Sequence, residues 1–189
     1  MGSIDQSSNV TQFKDRGVRI ITSRQTKALL STLVAYRIGK KTSTGTQMSL
    51  TPEAFALLLE MFSKATDMVE ESSATQYIEK FPREGKASRL REIVRNIFPN
   101  GEINFGRVLV VFSLAYEMCV QFPDDEDYII GIMETLVDEF LVDWIVDNGG
   151  WEKLIMSCQA KSVPFPKTKL ACCIAALAVG GLLVYKRVL

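Results

Sequence analysis

Asp124, Asp125, Glu126 and Asp127 are the densest run of potential metal ligands in the sequence, but they stand side by side. A calcium loop alternates its oxygen ligands and closes on a bidentate glutamate; this run does neither and reads as a solvated acidic turn over residues 122–127. A phosphate-cradling loop needs a glycine five residues ahead of its Gly-Lys pair, and Gly39-Lys40 has Val34 there, while Gly85-Lys86 has Lys80. The chain has no histidine, which removes His-based triads, most general acid–base schemes and the commonest zinc ligand. Cys119, Cys158, Cys172 and Cys173 form no CxxC pair, so a reducing compartment is expected and a disulfide framework is not. With 22 basic and 22 acidic residues the net charge is zero, without the basic surplus that nucleic acid requires. No catalytic set emerges: neither an enzyme, a cofactor, a metal nor a small-molecule substrate is expected.

Two segments do stand out. Asn100-Gly101-Glu102-Ile103-Asn104-Phe105-Gly106-Arg107 sets a polar side chain, a backbone without Cβ and a fixed positive charge at the start of a strongly apolar helix. A helix N-terminus carries partial positive charge, so a cation there is disfavoured unless a carboxylate meets it. That carboxylate could belong to another molecule or to the chain itself, Asp67 for example; the residues leave both open. The second segment, Trp144-Ile145-Val146-Asp147-Asn148-Gly149-Gly150-Trp151-Glu152, brackets a glycine stop with two tryptophans. On its own it reads as core packing at a corner between helices.

The elements that must position these segments are helical. The chain has 189 residues, 47% of them apolar, enough for one domain with a real core. Residues 1–18 are polar, lack the apolar centre of a signal peptide and read as disordered. Leu29, Leu30, Leu33, Val34 and Ile38 form the stripe of a helix over residues 22–39, followed by a loop to residue 50. Thr51-Pro52-Glu53 is a helix start, and Phe55, Leu58, Phe62, Ala65 and Val69 share one face of residues 52–73. A short piece around Tyr77, Ile78 and Phe81 ends at Pro82. The next helix, 88–98, faces inward with Leu90, Ile93, Val94 and Ile97. Residues 104–121 are apolar on nearly every side, Val120 included, and so must be buried as the centre of a bundle. A helix over 128–146 and a short one from Trp151 complete a bundle spanning 19–160. Pro164 and Pro166 mark a linker at 161–169. The apolar run 170–185, flanked by Lys167, Lys169, Lys186 and Arg187, would reach about 24 Å as a helix. It is expected to be a membrane anchor, the rival reading being another core helix.

Taken together and in this order, the two segments resemble the Bcl-2 family of apoptosis regulators. Asn104-Phe105-Gly106-Arg107 is similar to the family's first homology motif, Asn-Trp-Gly-Arg, and residues 144–151 to its second. Leu58, Phe62, Ala65 and Val69, with Asp67, match the spacing of the third homology segment, and residues 22–39 lie where the fourth lies. The resemblance covers roughly residues 20–189. Phe105 replaces the usual tryptophan, and Thr66 stands where the third segment normally has glycine, which puts in question whether this segment docks into another family member.

The resemblance implies an all-α fold of about eight helices around a central hydrophobic one, with a C-terminal transmembrane tail anchor. It implies a groove that accepts the amphipathic third-segment helix of a death-promoting relative. Arg107 would pair with the ligand's aspartate, Asn104 would add a hydrogen bond, and Gly106 would admit the ligand backbone. Val69, Tyr77, Ile93, Ile97 and Leu109 are candidates for the apolar floor and walls. A survival factor guarding the outer mitochondrial membrane (with the endoplasmic reticulum as a further location) is the preferred role. A pore-forming executioner of the same fold and a tail-anchored tether are the alternatives.

Overall fold

The structure, a computed structural model, describes residues 6–40, 50–71, 78, 86–98 and 101–160. Among them are seven α-helices and no strand: α1 (Gln6–Ile38), α2 (Pro52–Glu70), α3 (Lys86–Ile97), α4 (Phe105–Gln121), α5 (Glu126–Phe140), α6 (Val142–Asp147) and α7 (Gly150–Ala160). The helix expected at 77–81 lies outside the described residues except for Ile78, which is helical and buried. The linker at 161–169 and the apolar run 170–185 also lie outside them. Among the described residues no single helix is long and apolar enough to cross a membrane.

The reading of residues 1–18 as disordered is corrected from Gln6 onward, because α1 begins there rather than at Thr22. Once a helix is nucleated, each further residue adds a hydrogen bond without needing an apolar stripe. The following turns are stitched down: Arg19 Nε donates to Asp143 at 2.6 Å, Ser23 Oγ to Asp138 at 2.5 Å, and Lys27 lies 3.1 Å from Asp138. Further along, Leu29, Leu30, Leu33 and Val34 enter the core as their spacing requires.

Helix α2 starts as expected, with Thr51 Oγ1 accepting from Ala54 N at 3.3 Å and Pro52 in the first turn. Ala54, Leu58, Met61, Phe62, Ala65, Thr66 and Val69 are buried; Phe55, expected on this face, is only half-buried. The central helix is α4, which packs against α1, α2, α3 and α5. It is buried from Phe105 through Cys119 apart from half-buried Gly106, Arg107 and Tyr116, while Val120 emerges at the surface.

The single helix expected over 128–146 is two. The stripe Ile129, Met133, Leu136, Val137 lies on one face of α5, but Val142 and Ile145, also buried, are out of phase with it on a 100° wheel. The chain therefore breaks at Leu141 and re-aims. Gly149 and Gly150 both sit at φ +85°, a left-handed region natural to glycine, which ends α6 and starts α7.

Candidate functional site

Asn104 has extended backbone (φ −143°, ψ 162°), and its side-chain oxygen accepts from the Arg107 amide at 3.0 Å. It is an N-cap, satisfying one of the helix's free amides. In this state its oxygen serves the helix and not a ligand. The cap fixes where α4 starts and hence where Arg107, in the first turn, leaves the backbone.

Arg107 is partly covered, with 17% of its side chain exposed. One guanidinium nitrogen donates to the Glu102 carbonyl oxygen and lies 3.8 Å from the Glu102 carboxylate, itself 76% exposed. The buried Nε has no hydrogen-bond partner. The internal partner considered for it, Asp67, is engaged elsewhere: Arg37 of α1 donates to Asp67 at 2.5 Å and reaches both Glu70 oxygens at 3.3 Å. Arg107 thus has a loose, solvent-facing acid for company and unused donor capacity. Gly106 beside it is half-buried.

The candidate floor and wall residues lie deeper than a lining would. Val69 and Leu109 are fully buried, Ile97 is 1% exposed and Ile93 7%. Tyr77 lies outside the described residues. These side chains belong to α2, α3 and α4, and α2 and α3 each pack against α4. The third-segment anchors Leu58, Phe62, Ala65 and Val69 are all fully buried too, while Asp67 stays on the surface with 54% of its side chain exposed. Beside them Thr66 Oγ1 meets Ser113 Oγ of α4 at 3.2 Å, and each hydroxyl also bonds the carbonyl four residues back. Where glycine would leave a gap, the threonine methyl and hydroxyl fill it.

The two sequence motifs converge. Trp151 packs edge-on to Phe105 (centroids 6.1 Å apart) and tilted against Phe112 (5.7 Å), and its Nε1 donates to Thr26 Oγ1 at 2.8 Å. Trp144 is half-buried. The second motif is therefore core packing that braces the start of the central helix.

Toward the other end of α4 lie residues that gave little sign in the sequence. Lys86 is 2% exposed, paired with Asp125 and placed 4.2 Å from the Phe122 ring centroid. Glu117, visible in the sequence as a lone acid inside the apolar run, is 3% exposed with its Oε1 unpartnered. Burial, aided by the nearby Glu70 charge and opposed by Arg37, pushes its pKa up to about 7. Burial, with Glu70 adding to it, also raises the Tyr116 phenol. The Arg37 pKa is raised: burial works against its charge, but Glu70 and Asp67 outweigh that.

A family model described as "Apoptosis regulator proteins, Bcl-2 family" matches residues 56–151. The chicken (Gallus gallus) "Bcl-2-like protein 1" is 33% identical over 69 residues, covering 34% of this chain and 30% of that protein. The mouse (Mus musculus) "Apoptosis regulator BAX" is 32% identical over 68 residues, 33% of this chain and 35% of that protein. The matches thus span about a third of these relatives' length. Among solved structures, chicken BOK superposes with a TM-score of 0.55 at 18% identity, over 74% of this chain and 98% of that one, a likeness of fold.

Proposed function

This chain belongs to the Bcl-2 family of apoptosis regulators, and from that premise we propose that it is a survival factor that holds the third-segment helix of death-promoting relatives between α2, α3 and the start of α4. The observation that carries the reading is Arg107: a partly covered guanidinium at the start of the central helix, its Nε unpaired and its nearest acid a loosely placed Glu102. A ligand aspartate would complete it with charge-assisted hydrogen bonds. Apolar anchors would supply most of the affinity, about 1.5–3 kcal/mol for each fully buried side chain.

The survival role, rather than the executioner role, draws support from α2. An executioner must offer its own third segment, and here that segment's four anchors are fully buried and its aspartate is held by Arg37. Pulling out Leu58, Phe62 and Val69 alone would cost roughly 4.5–9 kcal/mol at that same rate. The basic-flanked apolar run 170–185 suits an anchor in the outer mitochondrial membrane, the bundle facing the cytosol, and the endoplasmic reticulum would suit the same tail.

The test is a double-mutant cycle by calorimetry between Arg107→Ala and a third-segment peptide whose aspartate is changed to alanine. Each single change should weaken binding by about 2–5 kcal/mol, and the two losses should not add. Additive losses, or an unchanged affinity for Arg107→Ala, would defeat the pairing. Expression in cells under a death stimulus separates the roles: more survivors fit a survival factor, fewer an executioner, and no binding to any third-segment peptide a tether.

A further inference from the structure

Ten residues beyond Arg107, about 15 Å along the axis of α4, the central helix carries an acid that the proposed binding function does not use. Glu117 is 3% exposed and its Oε1 has no hydrogen-bond partner. The charged groups acting on it are Glu70 from α2 and Arg37 from α1. Arg37 is committed to α2 through Asp67 at 2.5 Å and Glu70 at 3.3 Å, and its guanidinium carbon stands 5.8 Å from the centroid of the Tyr116 ring. The Glu70 charge in turn acts on the Tyr116 phenol. The other cation at this end of α1, Lys40, pairs with Glu126 at 2.5 Å. Three helices therefore meet around one guanidinium shared by surface acids, with a further acid buried behind it.

A protonated Glu117 sits in this place at modest cost. An ionised one is a buried charge without a counter-ion, which is strongly unfavourable unless a cation comes to it. Arg37 is the cation acting on it. Turning inward to Glu117 would take it from Asp67 and Glu70, and the Glu117 charge would repel Glu70 as well.

We propose that Glu117 is a proton-operated control on the Arg37 tie: protonated, it leaves Arg37 holding the end of α2 to α1, and on losing its proton it draws Arg37 toward α4 and releases the end of α2. The Glu117 pKa of about 7, raised by burial first and by Glu70 second, puts the changeover within the range of cytosolic pH. The consequence falls on the last turn of the chain's own third segment, since Asp67, Val69 and Glu70 lie there.

The experiment follows the full chain in detergent micelles by carbon NMR of labelled glutamate carboxyls and by amide exchange, over pH 5.5–8.5 (about three decades of proton activity). The Glu117 carboxyl should titrate near neutrality, and exchange at residues 67–71, corrected for intrinsic chemistry, should rise about tenfold over the same range. Glu117→Gln and the apolar Glu117→Met should each abolish that step and leave exchange slow throughout, so either variant suffices if the other folds poorly. Arg37→Gln should leave exchange fast at every pH. A Glu117 carboxyl titrating in the ordinary carboxylate range, or a step that survives in the Glu117 variants, overturns the proposal.

Discussion

The Arg37 guanidinium reaches the Asp67 carboxylate at 2.5 Å, so the aspartate of the chain's own third segment is paired at home, with α1. Asp67→Asn should therefore leave affinity for a third-segment peptide unchanged. Because the pair is partly exposed, stability should fall by no more than about 1 kcal/mol. Calorimetric titration beside urea unfolding checks both halves. A tenfold loss of affinity would mean that Asp67 reaches the bound helix.

Glu102 competes for the group that a ligand aspartate would use. Its carboxylate lies 3.8 Å from Arg107 and is well exposed, so Glu102→Gln should tighten binding of an aspartate-bearing peptide, by up to about 1 kcal/mol. The effect should vanish when the peptide aspartate is replaced by alanine. The Arg107 bond to the Glu102 carbonyl survives the substitution, so the melting temperature should hardly move.

Thr66 and Ser113 are suited to a second cycle, this time on stability. Thr66→Val and Ser113→Ala each remove one hydroxyl from the contact between α2 and α4 and should each cost about 1 kcal/mol. The double variant should cost less than the sum, because the second substitution removes a contact that the first has already broken. Chemical unfolding of the four proteins measures this, and strict additivity would show that the two hydroxyls do not interact.

The pH profile of stability should have two limbs of opposite sign. Asp138 is buried in part, which alone would raise its pKa, yet the hydrogen bonds from Ser23 and Lys27 hold it below its ordinary 3.8. Its stabilisation is present above that ordinary value and is lost as pH falls through the depressed one. Glu117 is the reverse: its pKa moves up from 4.5 to about 7, so the fold binds the proton more tightly than the unfolded chain. Stability then declines as pH rises from 4.5 to about 7 and levels off above it, by roughly 2–4 kcal/mol in all. Urea midpoints should be highest on the mildly acid side, and Glu117→Gln should flatten the upper limb alone.

Cys119 is 2% exposed, and burial pushes its thiol up to about 12. Alkylation by iodoacetamide at pH 8, which attacks the thiolate, should spare Cys119 in the folded chain. Its labelling, mapped by mass spectrometry, should track global unfolding in urea. Half-buried Cys158 should react earlier.

How much was legible follows from the kind of signal each feature leaves. The start of α2 at Thr51-Pro52, the buried Leu29-Leu30-Leu33-Val34 stripe and the all-round apolarity of α4 were readable, because capping chemistry and periodicity are local. The earlier start of α1 was not, because it carries no apolar stripe and Arg19, near it, is held by Asp143 more than a hundred residues away. The break at Leu141 showed only as a change of phase in a continuous apolar pattern. At the site, Arg107 and its cap Asn104 were identifiable from type and position. That Asp67 pairs with Arg37, and that Glu117 has no hydrogen-bond partner for its Oε1, depends on which faces of three helices meet. The depth of Val69, Ile93, Ile97 and Leu109 depends on the same thing: an apolar side chain has the same signature whether it lines a groove or fills a core.

Trp151 lies in an aromatic cage of Phe105 and Phe112, 1% exposed, with its indole N–H tied to Thr26. The chain has two tryptophans, so Trp144→Phe leaves a single tryptophan, at the spot where α1, α4 and α7 join. Its emission wavelength then becomes an optical gauge of the bundle's interior. Prising α1 or α7 away would hydrate the indole and shift its light to the red, while a peptide that leaves α1, α4 and α7 seated would leave the colour unchanged.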